Sequence, residues 1–257
     1  MSRLVESLDL SGRVVLVTGG SRGIGRGIVQ AFAENGADVV IASRKLENCQ
    51  QVATEVAAQT GVRAAAFGYH AGRWEDADRL ADFVHDELGR CDVLVNNAGM
   101  SPVYGSRIED VSEELYDKTH AVNAKGPFRL AALLARRMYD AGSGVILNVT
   151  SAGSLRPGID DLPYAMAKAG LNALTLALAG EYAPRVRSNL LLPGAYESDI
   201  TDNWPEGWVD RAAAMNPMQR LGRPTDLANL AVFLASDAAS YLNGAQVLAD
   251  GGLFRTL

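Results

Sequence analysis

The sequence predicts an α/β fold, a doubly wound parallel sheet of seven strands covered on both faces by helices in three α/β/α layers. Three observations predict it. Short β-branched runs alternate with helical patterns along the whole chain. Those runs are apolar throughout rather than at every second position, which marks strands covered on both faces. At 257 residues, 48% hydrophobic and 21% charged, the chain suits one large α/β domain spanning 1–257 better than two small ones.

The elements follow in order. RVVLVTGG is a strand ending in glycine, and IGRGIVQAFAENG has helical apolar spacing that stops at Asn35-Gly36. ADVVIAS is a strand, LENCQQVATEVAAQTG a helix and VRAAAFG a weaker strand. WEDADRLADFVHDELG is an amphipathic helix and CDVLVNN a strongly apolar strand. Helical patterns then cover about 112–141, GVILNVTS is a strand, 163–183 a helix and VRSNLLLP a strand. A helix near 225–235 and the strand AQVLAD complete the set. Right-handed crossovers wind such strands into a Rossmann-type sheet.

Composition excludes several classes. The formal charge is −6 and no basic stripe could track a polymer of phosphates, so nucleic acid is not an expected partner. Cys49 and Cys91 stand apart, without CxxC or Cys/His spacing, so neither a metal site nor a disulfide framework is expected. The start, MSRLVESLDLSG, lacks a secretory apolar run, and no stretch approaches the ~18 apolar residues that cross a bilayer. A cytoplasmic protein, not bound to membrane, is the expectation.

In doubly wound sheets ligands bind at the carboxyl ends of the strands. After the first strand, TGGSRGIG sets Gly19, Ser21, Arg22, Gly23, Ile24 and Gly25 at a turn opening a helix, where close backbone approach and free N–H groups favour a pyrophosphate. A purely structural turn is the alternative. After the second strand stand Ser43, Arg44 and Lys45, with no acidic residue to hold an adenosine ribose. Arg44 with Arg22 would pair with a 2′-phosphate, favouring NADP(H) over NAD(H); solvated charges at a strand exit are the alternative. NNAG follows the fourth strand, Ser151 the fifth and LPGAYES the sixth. PYAMAKAG puts Tyr164 and Lys168 on one helix face, either an acid/base pair or a half-buried ring beside a solvated amine.

With these motifs the chain resembles the short-chain dehydrogenase/reductase family, in its compact branch, nearly end to end. The resemblance rests on Thr18-Gly19-x-x-x-Gly23-Ile24-Gly25, Asn96-Asn97-Ala98-Gly99, Asn123 in HAVNAKGPF, and Ser151 thirteen residues before Tyr164-x-x-x-Lys168. Pro193-Gly194 and Asp250-Gly251-Gly252 complete it. It implies hydride transfer between NADP(H), or NAD(H), and a small alcohol or ketone. Tyr164 would exchange a proton with the substrate oxygen, and Lys168 would favour its phenolate and bind the nicotinamide ribose. Ser151 would polarise the same oxygen, and Asn123 would hold a water linking Lys168 to solvent. Asn97, Ala98 and Gly99 would lie by the adenosine and ribose, Pro193 and Gly194 by the nicotinamide, and Ser198 by the carboxamide. Asn97 could instead merely cap its strand, and Pro193-Gly194 merely end one. A non-catalytic dinucleotide-binding or redox-sensing module is the other class weighed; a sugar-nucleotide epimerase of the longer branch would need a larger C-terminal substrate domain.

The chain departs from the family pattern at His70, where an acidic residue or Asn usually meets adenine. It departs again at Tyr196, whose bulk would narrow the nicotinamide pocket or alter loop closure, and at Ser188 and Ser198. Substrate choice is expected in a lid at about 195–220, helped by 100–107 and 153–160, with Trp204 and Trp208 lining an apolar pocket or packing the lid on its own base. A hydrophobic or mid-sized alcohol or ketone is favoured, with Arg156 and Asp160 as groups that would orient a polar one. The helix AGLNALTLALAGEY is apolar nearly all round, so its outer face also calls for cover, and the resemblance implies a homotetramer or homodimer.

Overall fold

β-Branched runs and helical patterns alternate in the computed structural model as they do in the sequence; the residues it describes are 6–102, 107–198, 201 and 206–254. The strands are β1 (Val14–Thr18), β2 (Asp38–Ser43), β3 (Ala64–Gly68), β4 (Val93–Asn96), β5 (Gly144–Val149), β6 (Val186–Pro193) and β7 (Gln246–Ala249). They form one parallel sheet in the order β3-β2-β1-β4-β5-β6-β7. The chain winds outward from β1 to β3, returns to pair β4 with β1, and winds outward again to β7. A crevice therefore opens between β1 and β4 at their carboxyl ends.

The helices are α1 (Gly23–Glu34), α2 (Leu46–Thr60), α3 (Trp74–Leu88), α4 (Glu113–His120), α5 (Gly126–Ala141), α6 (Leu162–Glu181), α7 (Trp208–Met215) and α8 (Pro224–Ala235). Side chains alternate across each strand, so two cores form. Val15 and Val17 of β1, with Val39 and Ile41 of β2, pack against Ile28 and Phe32 of α1, Val52 of α2 and Leu227 of α8. Val14 and Leu16 face the other way, with Val40, Leu94 and Ile146, onto Leu80 of α3, Leu134 and Met138 of α5, and Leu178 of α6.

One detail of the helical region 112–141 matters for the site. Within the helical patterns over about 112–141, a π-helical turn, Ala121–Lys125, joins α4 to α5 without a loop and carries Asn123. The 195–220 segment also contains a helix of its own, α7. Among the described residues no helix is long and apolar enough to cross a membrane.

Candidate active site

Three glycines make the turn after β1. Gly19 and Gly23 have φ of 68° and 52°, values that suit glycine. Gly25 lets α1 press onto the turn, since a Cβ there would lie 2.1 Å from the Gly19 carbonyl oxygen. Arg22 precedes α1 without a side-chain cap, and no acidic residue stands in the first turn. The first N–H groups of the helix are thus left to an anion, which fits the pyrophosphate of a dinucleotide. Ile24 packs partly buried against the core behind the turn.

The turn is strapped to the end of β4. Thr18 Oγ1 accepts from Asn97 N at 3.0 Å and Ala98 N at 3.1 Å, and donates to Val95 O at 3.3 Å. Asn97 Nδ2 donates to Thr18 O at 3.0 Å and Gly19 O at 3.3 Å. The Asn97 amide thus braces the phosphate turn. Thr18, which only opened the sequence motif, closes the brace. Ser21 Oγ donates to Ser43 Oγ at 3.0 Å, joining the turn to the end of β2, beyond which Arg44 is exposed, as is Arg22 across the turn.

Ser151 follows β5, and its Oγ accepts from Gly153 N at 3.1 Å. Tyr164 and Lys168 stand one turn apart on α6, with the Lys168 Nζ 5.7 Å from the centre of the Tyr164 ring. Lys168 is buried and donates to Val149 O at 2.8 Å. Asn123, fully buried, donates to Met100 O at 2.8 Å and Thr119 O at 2.9 Å, and accepts from Met100 N at 3.1 Å. Gly99 lies between Lys168 and Asn123: a Cβ on it would be 3.0 Å from Asn123 Oδ1 and 3.5 Å from Lys168 Nζ. The fold therefore brings Ser151, Tyr164, Lys168, Asn123 and Gly99 to one place.

Burial dominates the electrostatics there. It pushes the Tyr164 phenol up to about 12, against a side-chain hydrogen bond from Ser151 that lowers it; the charge of Asp161 raises it further. Burial pulls the Lys168 ammonium down to about 8. Desolvation thus penalises both the phenolate and the ammonium. Asp161, one turn before Tyr164, was not singled out in the sequence, although its i,i+3 spacing sets its carboxylate near the phenol.

Pro193 ends β6, and Gly194 N donates to Ala249 O at 3.1 Å. A Cβ on Gly194 would meet Asp250 Cβ at 2.8 Å. Asp250 in turn accepts from Gly252 N at 2.9 Å and Phe254 N at 2.7 Å, which gives the DGG signature its structural job. Ser198 N donates to Thr201 Oγ1 at 2.9 Å. The Tyr196 ring turns inward and packs on Gly222, where a Cβ would lie 2.6 Å from it. The His70 ring accepts from Gly72 N at 3.2 Å, and its backbone N–H donates to Asp76. Arg156 lies over the Phe254 ring, 5.7 Å from its centre, while Asp160 is exposed. Trp208 is exposed beside Arg211, and Trp204 lies outside the described residues.

The comparisons with known proteins agree with this fold. A family model described as enoyl-(acyl carrier protein) reductase matches residues 19–254. The chain is 38% identical to an L-rhamnose 1-dehydrogenase (NAD(P)(+)) of Azotobacter vinelandii, over 95% of this chain and 98% of that one. A crystal structure of a short-chain type dehydrogenase/reductase from Mycobacterium marinum superposes with a TM-score of 0.90 at 32% identity, covering 98% of this chain and all of that one (100%). A 7α-hydroxysteroid dehydrogenase complexed with NADH and 7-oxo glycochenodeoxycholic acid superposes with a TM-score of 0.92 at 31% identity, over 98% of each chain. The chain thus belongs to the short-chain dehydrogenase/reductase family, as an NAD(P)-dependent oxidoreductase acting on CH–OH groups.

Proposed function

We propose that the chain reduces a small ketone or aldehyde, or oxidises the corresponding secondary alcohol, with Tyr164 as proton donor and acceptor and NADP(H) as the favoured cofactor. The observation that carries this reading is the convergence of Tyr164 and Lys168, on one face of α6, with Ser151 at the end of β5. The nicotinamide supplies the hydride. Ser151 holds the reacting oxygen by a hydrogen bond, and Tyr164 gives it a proton. A phenol raised to about 12 is fully protonated at neutral pH, which suits donation in the reducing direction. Lys168, with an ammonium at about 8, holds a proton at pH 7 and can return it to Tyr164. Asn123, held against the 98–100 loop by its bonds to Met100, would hold a water that links Lys168 to solvent.

Tyr164→Phe tests the reading. It removes the proton but leaves the ring in place, so turnover with NADPH across a ketone panel should fall by at least about 10³-fold while NADPH affinity stays within threefold. Retained turnover sinks the assignment.

Arg44 and Arg22, exposed on either side of the Ser21–Ser43 bond, support the preference for a 2′-phosphate. Arg44→Ala should weaken NADPH by about tenfold and NADH little, as measured by fluorescence titration. Equal losses for both would remove the preference. The segment 195–220 serves as a substrate lid and α7 as its helical part. The protein acts as one domain over 1–257, in the cytoplasm, and as a homodimer or homotetramer.

A further inference from the structure

Behind the site, three polar side chains run through an otherwise apolar interior. Asn96 Nδ2 donates to Asn148 Oδ1 at 2.9 Å, Asn148 Nδ2 donates to Thr175 Oγ1 at 2.8 Å, and Thr175 Oγ1 donates to Leu171 O at 2.9 Å. All three side chains are buried, Asn148 and Thr175 fully. Every donor points the same way, from β4 through β5 to α6, so each bond polarises the next. Asn96 and Asn148 are paired in the sheet register. Burying an amide and a hydroxyl in a dry core costs free energy that an apolar pair of the same shape would not. Stability alone therefore gives no reason for this chain.

Its position does. Thr175 lies seven residues beyond Lys168, two turns along the same face of α6. Both residues grip adjacent positions of β5: Lys168 bonds Val149 O, and Thr175 accepts from the Asn148 side chain. Leu171 is buried between them. Two anchors two turns apart fix how far α6 can slide along β5, whereas an apolar contact fixes only its distance. At the other end, Asn96 precedes Asn97, which braces the glycine turn.

We propose that Thr175 is a positioning residue for the acid/base pair: through Asn148 its hydroxyl holds α6 at the height on β5 where Tyr164 and Lys168 meet Ser151. This rests on the roles given to Tyr164 and Lys168 above. Catalytic groups must be held to within a fraction of an ångström, and a misplacement of about 1 Å can cost on the order of 10²-fold in rate.

The test compares Thr175→Val, Thr175→Cys and Thr175→Ser in the full-length protein, with NADPH and a ketone the wild type turns over. Each variant is assayed at least 15 °C below its measured Tm and corrected for NADPH-binding stoichiometry, in the range where chemistry limits the rate (~25 °C). The expected order of kcat is Thr about equal to Ser, then Cys, then Val, with Val down at least about tenfold and NADPH affinity within threefold. The alkaline limb of the pH–rate profile should also move in Val and return in Ser. Adding Asn148→Ala to Thr175→Val should lower kcat by less than the product of the two single losses, since the two variants share the Asn148–Thr175 bond while Asn148→Ala also breaks the bond from Asn96. If Val loads poorly, the Ser-to-Cys difference decides alone. A kcat and pH profile that stay at wild-type values in Val or Cys, or a loss that tracks Tm rather than the hydroxyl, would overturn the proposal. A wild type that turns over no ketone or alcohol with either cofactor would overturn the underlying reading, and this one with it.

Discussion

Lys168 shows at the scale of one residue how the site costs the fold stability. An ammonium held at about 8 instead of its ordinary 10.5 carries a net unfavourable burial of about 3 kcal/mol, its bond to Val149 O included. Below pH 8 both folded and unfolded chains hold the proton and the penalty is present in full. Between 8 and 10.5 the unfolded chain binds more protons, so the stability of the wild type rises through that window. Lys168→Met should therefore abolish turnover yet raise stability at pH 7 by about 1–2 kcal/mol, or Tm by about 2–6 °C, and this advantage should shrink as pH climbs past 8. Calorimetry at two pH values checks both the size and the sign. A lysine that lowers stability at neutral pH is what a group kept for chemistry looks like.

At the scale of elements, the glycine turn and α1 are one unit. Gly25→Ala puts a Cβ 2.1 Å from Gly19 O and 2.5 Å from Asn97 Nδ2, so the turn must open and the brace to β4 must break. We expect NADPH affinity to fall at least about tenfold and Tm to drop, whereas Gly180→Ala near the end of α6, where a Cβ meets nothing within 4 Å, should be neutral or stabilising by about 0.5–1 kcal/mol. The strands and most helices were legible because their apolar runs and 3.6-residue spacing are strong local signals. The π-helical turn was not. Its one extra residue leaves the helical pattern over 112–141 apparently unbroken, and only the packing of Asn123 on Met100 marks it. Which way the Tyr196 ring turns was illegible for a related reason: its chain position is next to the cleft, but the absence of a side chain on Gly222 lets the ring pack on the core side. The Asn96–Asn148–Thr175 chain was equally hidden, because three polar residues far apart in sequence show no spacing that relates them.

At the scale of the whole molecule, α4, α5 and α6 present an uncovered apolar face. Tyr116, Phe128 and Met166 are exposed on it, Phe128 to 48%. Two shallow grooves run along the same face, one lined by Phe128, Leu171 and Leu174, the other by Tyr116, Pro163 and Met166. A second copy of the chain is the occupant we expect. Light scattering after gel filtration should give a dimer or tetramer, and Phe128→Arg should shift it toward monomer; an unchanged mass in that variant places the contact elsewhere. The sequence pointed to this face through the all-round apolarity of AGLNALTLALAGEY, but what lies on it is a property of two chains and no single one encodes it visibly.

The π-helical turn carries one more consequence. An extra residue in a helix advances its angular phase by about 100°, so side chains on either side of Ala121–Lys125 no longer share a stripe. α4 can then lay its inner side on α6 while α5 lays its own on α3 and the sheet, with no loop between them. A continuous rod serves two neighbours at different bearings, and the joint where it changes heading is the point at which an amide, aimed inward, meets the 98–100 segment. Excising one residue there would straighten the rod and leave each half facing its neighbour with the wrong side chains.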